Sequence, residues 1–340
     1  ISISNGRTKT HQHSLMVRLS LGNWEGFGEA PAIVYYNVTV EGMMEQLEQN
    51  RKVIEKFALI DPERFWHFLH HLFPNDPFLV CALDMAGWDL WGQMKKQPLH
   101  QLWNTQWHTQ HNDAVNTLPP ICDYTLGIDP IEKMVQKMEA HPWPIYKVKV
   151  GTDYDVEMIT ALRKHTNKPI RVAANAGWST EEALVKIPAL AALGVELVEQ
   201  PLAKDNWEGM EQLKKQSILP LFADESCVFE KDVAVCANLF HGINIKLTKC
   251  SGLTPALRMI HEAKSLGLQV MMGSMNESVI GSAAIAQFLP QLDYVDMDGP
   301  LLMTELNGVG LDYAFNNCNG AVAPLTLPGL GVSFRMPFKK

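Results

Sequence analysis

Beyond residue 140 the chain alternates short apolar runs with longer amphipathic stretches. The runs are Lys147–Val150, Ile170–Ala174, Leu197–Gln200, Leu221–Glu225, Ile243–Leu247, Val270–Gly273 and Tyr294–Asp298, with starts about 22 to 27 residues apart. Runs this short and this apolar read as strands buried on both faces, and the stretches between them read as helices. Helix punctuation agrees. Ser179 with Glu182 fits a capping box, and Gly194 fits a helix end. Thr254 before Pro255 fits an N-cap and first helical position, with Gly267 near the far end. Pro188 is the awkward residue, because a proline inside a helix should kink or split it. Seven strand–helix units, with a candidate first strand near 114–117, predict an α/β fold whose centre is a parallel (β/α)7–8 barrel of the TIM type.

Residues 1 to about 115 follow other periods. Leu15–Leu21 alternates as a strand, Gly22-Asn23 marks a turn, and Gly26-Phe27-Gly28-Glu29-Ala30 follows. Helical patterns occupy about 41–57, 62–72 and 78–94. The last is apolar on most sides, which places it between layers. The expected organisation is an α+β capping domain from 1–115 plus about 311–340, and a barrel domain over 116–310 that carries the site.

Composition narrows the function. The net charge of −8 comes with no basic cluster, which argues against a nucleic-acid partner. The six cysteines show no paired spacing, and no apolar run approaches the roughly 18 residues of a membrane span. No leader segment is recognisable. A reducing, cytoplasmic setting without membrane attachment is therefore expected. The chain opens at Ile1 in what reads as mid-strand.

Candidate chemistry stands at the strand ends. Lys147 and Lys149 alternate onto one strand face, and a buried lysine requires carboxylates or a function. Glu199, Asp224 with Glu225, Lys246, Glu277, and Asp296 with Asp298 end or follow the next runs. Taken singly, a Lys-x-Lys strand is ordinarily a solvated face, and an acidic strand end is ordinarily a cap or turn. Ionisable residues ending successive units of otherwise apolar strands are a different pattern. In a parallel barrel those ends converge on the active-site mouth. Carboxylates there suit Mg2+, which can stabilise an enolate, while lysines on opposite sides move a proton at the adjacent carbon. Burial and neighbouring cations would lower the pKa of both lysines.

These residues resemble the enolase superfamily, in its muconate-lactonizing subgroup, over nearly the whole chain. The matching stretches are Gly28-Glu29-Ala30, Ala82–Leu90, Lys147-Val148-Lys149, Val198-Glu199-Gln200-Pro201, Ala223-Asp224-Glu225-Ser226 and Asn244-Ile245-Lys246-Leu247. Within the subgroup, Gly273-Ser274-Met275-Asn276-Glu277 and Asp296-Met297-Asp298-Gly299-Pro300 are similar to the dipeptide epimerases. The resemblance implies Lys149 and Lys246 as acid/base catalysts and Lys147 as the neighbour that depresses the pKa of Lys149. It implies Glu199 and Asp224 as ligands of one Mg2+ per subunit, and Asp296 and Asp298 as carboxylates holding the α-ammonium of a dipeptide. Arg7 matches a position that pairs with a C-terminal glutamate side chain, and Met275 and Glu277 fall in the loop that shapes the substrate pocket. A homo-oligomer and a place in murein-peptide recycling are also implied.

One departure matters. The superfamily's first metal ligand is an aspartate in Asp-Ala-Asn, whereas here the stretch reads Ala173-Ala174-Asn175. Ala173 offers no donor, so weakened Mg2+ binding is expected. Three functions stand: a Mg2+-dependent L-Ala-D/L-Glu-type epimerase, an o-succinylbenzoate synthase or muconate cycloisomerase-like enzyme, and a metal-deficient dipeptide-binding protein. The Asp296/Asp298 pair favours the first over the second, whose substrates carry no ammonium.

Overall fold

The computed structural model describes residues 2–3, 7–8, 10–104, 120–303, 308–309 and 325–334, with side chains over 10–104, 120–303 and 325–332. The chain begins with a short antiparallel pair, β1 (Ser2–Ile3) and β2 (Arg7–Thr8). A longer hairpin follows, β3 (Ser14–Leu21) and β4 (Trp24–Pro31), turning at Gly22 with φ of 60°. Helices α1 (Val40–Glu55), α2 (Pro62–Leu72), α3 (Pro77–Lys95) and α4 (Leu99–Trp103) come next. The predicted helices are present to within a residue or two. Each of the first three opens on a side-chain cap, from Thr39, Asp61 and Asp76.

Helix α3 is buried along most of its length, as its apolar sequence requires. Strand β4 lies directly against it. A Cβ on Gly28 would fall 1.8 Å from the Ala82 carbonyl oxygen, so only glycine permits this approach.

Eight parallel strands form one sheet in chain order. They are β5 (Tyr124–Leu126), β6 (Tyr146–Lys149), β7 (Ile170–Ala173), β8 (Val195–Glu199), β9 (Leu221–Ala223), β10 (Gly242–Ile245), β11 (Gln269–Gly273) and β12 (Tyr294–Asp296). A bridge between Cys122 and Val295 joins the first strand's approach to the last strand and closes the ring. The intervening helices are α5 (Ile131–Ala140), α6 (Asp155–Arg163), α7 (Thr180–Ala192), α8 (Trp207–Gln216), α9 (Glu230–Leu239), α10 (Leu253–Ser265) and α11 (Val279–Gln287). Strands and helices bury a common core that includes Val148, Val172, Val198, Ile245 and Met272.

Three local expectations change. The first barrel strand is Tyr124–Leu126, and 114–117 lies outside the described residues. Helix α7 carries the predicted Ser179/Glu182 box but runs unbroken through Pro188. Pro188 faces solvent, where water can satisfy the carbonyl that loses its partner. Helix α10 starts at Leu253 behind Gly252, so Thr254 lies inside the first turn rather than at the cap.

The open N-termini of α10 and α11 are served from a distance. Asp84 of α3 accepts from the Leu253 and Thr254 amides at 2.7 and 3.0 Å and from the Thr254 hydroxyl at 2.8 Å. Glu29 of β4 accepts from the Ser278 amide at 2.9 Å, the Ser278 hydroxyl at 2.7 Å and the Gly281 amide at 3.1 Å. These carboxylates meet the positive ends of two helices, which offsets the cost of burying them. Asp89 of α3 accepts from Phe27 and from Leu330, and so ties the described part of the tail to the same helix. Two further short strands, Gly308–Val309 and Ser333–Phe334, pair antiparallel. No helix among the described residues is long and apolar enough to cross a membrane. The five cysteines among the described residues are buried and form no disulfide.

Candidate active site

The strand ends bring the predicted ionisable residues to one mouth of the barrel. Lys147 and Lys149 sit on β6, Ala173 on β7 and Glu199 on β8, with Lys149, Ala173 and Glu199 in one register row. Asp224 and Glu225 follow β9, Lys246 follows β10, and Asp296 ends β12 with Asp298 just beyond. In a ring of eight, β6 and β10 are four strands apart, so Lys149 and Lys246 rise from opposite walls.

Lys147 is buried, with its Nζ 2.7 Å from Glu199 Oε2 and 2.6 Å from Asp296 Oδ2. Burial opposes its charge, yet Asp296 and Glu199 raise its pKa well above the lysine range. Lys149 differs. Its side chain forms no ion pair or hydrogen bond with a described residue. Burial within the barrel, and then the Lys147 ammonium, lower its pKa. Lys246 behaves contrary to expectation. Its Nζ lies 2.7 Å from Asp224 Oδ2, and Asp224 outweighs burial and raises its pKa instead of lowering it. The expectation failed because the sequence did not reveal that Asp224 turns toward Lys246.

Asp296 and Asp298 are engaged differently. Asp296 spends Oδ2 on Lys147, which with Lys149 overrides burial and lowers its pKa, while its Oδ1 is buried with no hydrogen-bond partner among the described residues. Asp298 accepts from the Thr125 amide at 2.6 Å. Burial, and then Asp296, raise its pKa well above the aspartate range. Glu277 is buried, accepts from the Met275 amide at 2.6 Å, and is pushed up to about 7 by burial and by Glu29. Met275 is half-buried in the same loop. Arg7 has its backbone in β2, and its side chain lies outside the described residues.

Lys249 was missed. It is fully buried, with Nζ 2.6 Å from Asp224 Oδ1, 3.0 Å from the Cys227 carbonyl and within hydrogen-bond reach of the Asp224 carbonyl. Its spacing of three from Lys246 was the available signal, but it lies in a turn, where lysine is ordinarily solvated. Arg171 and Asp123 were missed too. They pair at 3.0 Å deeper in the barrel.

Several oxygens near β7–β9 have no partner among the described residues: Glu199 Oε1, Asn175 Oδ1 and Glu225 Oε2, each buried. Asn175 Nδ2 donates to the other Glu225 oxygen at 3.2 Å. Buried orphan oxygens beside carboxylates suit a hard divalent cation. Ala173 contributes none, and both Asp224 oxygens are bonded to ammonium groups. No described group of three or more His, Cys, Asp or Glu residues forms a metal cluster. Glu199 thus keeps a free oxygen for a cation, whereas Asp224 could join it only by exchanging an ammonium contact, and Ala173 leaves out the third carboxylate the resemblance implies. The backbone here is held in unusual conformations, with positive φ at Asn175, Ala176 and Gln200. Hydrogen bonds from the Ala176 amide to Gln200 and from the Trp178 amide to Pro201 hold it there.

The model for enolase C-terminal domain-like proteins matches residues 130–337. The chain is similar to the L-Ala-D/L-amino acid epimerase of Flavobacterium johnsoniae, at 49% identity over 95% of this chain and 92% of that one. Among solved structures it is similar to a substrate-liganded complex of the L-Ala-D/L-Glu epimerase from Bacillus subtilis, with TM-score 0.84, 28% identity, and 94% and 91% of the two chains covered. The fold also matches a dipeptide epimerase from Cytophaga hutchinsonii complexed with Mg and D-Ala-L-Val, with TM-score 0.88, 24% identity, and 98% and 91% covered.

Proposed function

Because the chain belongs to the family of enolase C-terminal domain-like proteins, we propose that it is an isomerase that epimerises dipeptides with an N-terminal L-Ala. The observation that carries this reading is the pair of lysines on opposite walls, one with a lowered pKa and no side-chain partner among the described residues, and one ion-paired with a raised pKa. Inversion at a carbon needs a base on one face and an acid on the other.

In this reading Lys149 takes the α-proton of the C-terminal residue as a neutral amine. The electron pair moves into the adjacent carboxylate as an enolate, and Lys246 returns a proton to the opposite face. Lys147 stays charged and keeps the amine of Lys149 neutral. Asp296 and Asp298 attract the α-ammonium, whose arrival would favour the ionised form of Asp298. A cation on Glu199 and Asp224 would stabilise the developing enolate charge. Lys249 holds the Asp224 carboxylate in place. Met275, Glu277 and Arg7 border the side-chain pocket in this reading, and Glu at the C-terminal position is the first substrate to try, in keeping with a role in murein-peptide recycling in the cytoplasm.

The deciding measurement is proton NMR of L-Ala-D-Glu, and of other L-Ala dipeptides, with protein and Mg2+ in D2O. Loss of the α-proton signal of the C-terminal residue and appearance of the epimer are expected. Silence from the chain as it stands but exchange in Ala173→Asp would place the defect in the metal site. Silence from both would refute the epimerase.

Ala173 favours a second reading, a protein that binds the dipeptide without turning it over. Dipeptide binding in calorimetry with no exchange in D2O would select it.

A further inference from the structure

Helix α2 carries three histidines, His67, His70 and His71, all exposed, while Phe65, Trp66 and Leu69 face the core. Nothing in the proposed reaction uses them. Four residues separate His67 from His71, so both imidazoles leave one face of the helix one turn apart.

The hydrogen bonding of His71 adds to this spacing. Its Nδ1 is 2.7 Å from the His67 carbonyl oxygen. A carbonyl only accepts, so the hydrogen sits on Nδ1. In the neutral ring, Nε2 then carries a free lone pair. A ring N–H donated to a backbone carbonyl is the arrangement that orients metal-bound histidines and makes them better ligands. His70 is held apart. Its ring stacks on Trp66 at 4.9 Å and 11°, and meets His71 edge-on at 5.9 Å. Glu63, four residues before His67, is taken by Arg258 at 3.4 Å, and Arg258 also pairs with Glu230. Arg258 thus engages the two nearby carboxylates, and the His67 ring meets Trp66 only edge-on, at 5.1 Å. The site also lies in the last helical turns, where the carbonyl end of the helix favours a cation.

We propose that His67 and His71 form a bidentate surface site for a borderline divalent transition ion, with water completing its coordination. Imidazole pairs select Cu2+, Ni2+ and Zn2+, with Cu2+ strongest, and discriminate against Mg2+, which seeks oxygen. The site is thus chemically separate from the carboxylates in the barrel. Two His on one helix face at this spacing are also how helical zinc motifs begin.

The full chain, saturated with Mg2+, is titrated calorimetrically with Cu2+ alone and then with Ni2+, and the Cu2+ form is examined by electron paramagnetic resonance. One site with two nitrogen ligands is expected. His67→Ala and His71→Ala should each weaken it about tenfold or more, whereas His70→Ala should leave it intact. Circular dichroism of each variant checks that these exposed substitutions leave the fold unchanged. Equal Cu2+ affinity in His67→Ala, His71→Ala and the unaltered chain would overturn the proposal and assign the ion to other histidines, such as His11 and His13. A fall in affinity with His70→Ala alone would overturn it as well.

Discussion

The β6 and β10 walls of the barrel carry the same side chain and treat it in opposite ways. On β6, Lys147 takes both nearby carboxylates, Glu199 and Asp296, and leaves Lys149 beside a fixed positive charge with none of its own partners described. On β10, no second strand lysine intervenes, and Asp224 bridges Lys246 to Lys249. One wall therefore weakens the charged form of its lysine and the other strengthens it. In the proposed reaction identical residues would serve as base and acid through the carboxylates assigned to them, which spacing alone does not encode.

The strongest way to break this contrast is to remove either amine. Lys149→Ala and Lys246→Ala should each lower epimerisation kcat by about 10²- to 10⁴-fold. They should differ in a half-reaction. With Lys246→Ala, the epimer whose α-hydrogen faces Lys149 should still exchange that hydrogen in D2O, as NMR of each separate epimer would register. Equal loss of exchange for both epimers would refute the division of labour.

Next in size is the metal corner between the walls. Ala173→Asp should tighten Mg2+ binding by about tenfold to a hundredfold, read by calorimetry, since it supplies a carboxylate in the register row of Lys149 and Glu199. Unchanged affinity would mean that a cation does not use this row.

A pH profile sharpens the contrast further. The reaction needs neutral Lys149, so kcat/KM should rise with pH through a pKa below the usual lysine value of 10.5. Lys147→Met removes a cation that lowers this pKa, so the rising limb should move to higher pH. A limb that stays in place would assign the effect to burial alone.

The smallest effect concerns how the walls are anchored. Helix α10, which follows β10, is capped by Asp84 from α3. By contrast, the Asp155 carboxylate that serves Gly151 and Thr152 after β6 belongs to the barrel itself. Asp84→Ala should cost about 1 to 2 kcal/mol, seen as a lower midpoint of urea unfolding. Burial pushes Asp84 up to about 7. A raised carboxyl pKa in the folded state means that the native protein binds the extra proton. The stability contributed by Asp84 should therefore decline as pH rises from the ordinary aspartate range to about 7, and the Asp84→Ala variant should lose this pH dependence.

The sequence was most informative where periodicity is long and weakest where geometry is set by contact. Seven barrel strands follow from apolar runs. Tyr124–Leu126 is only three residues, too short to stand out from loop. The strand-end lysines and carboxylates were visible as a set, because charged ends on apolar strands need a reason. Their pairing was not, since Asp224 turning to Lys246 and Lys249, or Asp298 to the Thr125 amide, depends on rotamers and burial. Lys249 shows the limit. A lysine in a turn looks solvated until the fold closes over it. Likewise Gly28-Glu29-Ala30 reads as a motif, but its reason, a backbone contact and a remote helix cap, exists only in three dimensions.

The remote caps also set a clock for the newborn chain. Glu29 meets its partners 249 to 252 residues later, and Asp84 waits about 170. At about 5 to 20 residues per second, roughly ten to fifty seconds of synthesis separate Glu29 from Ser278. Through that interval the hairpin and α3 must be shielded with an unpaired carboxylate and an open apolar face, and they are sealed only when nearly the last barrel helix leaves the ribosome.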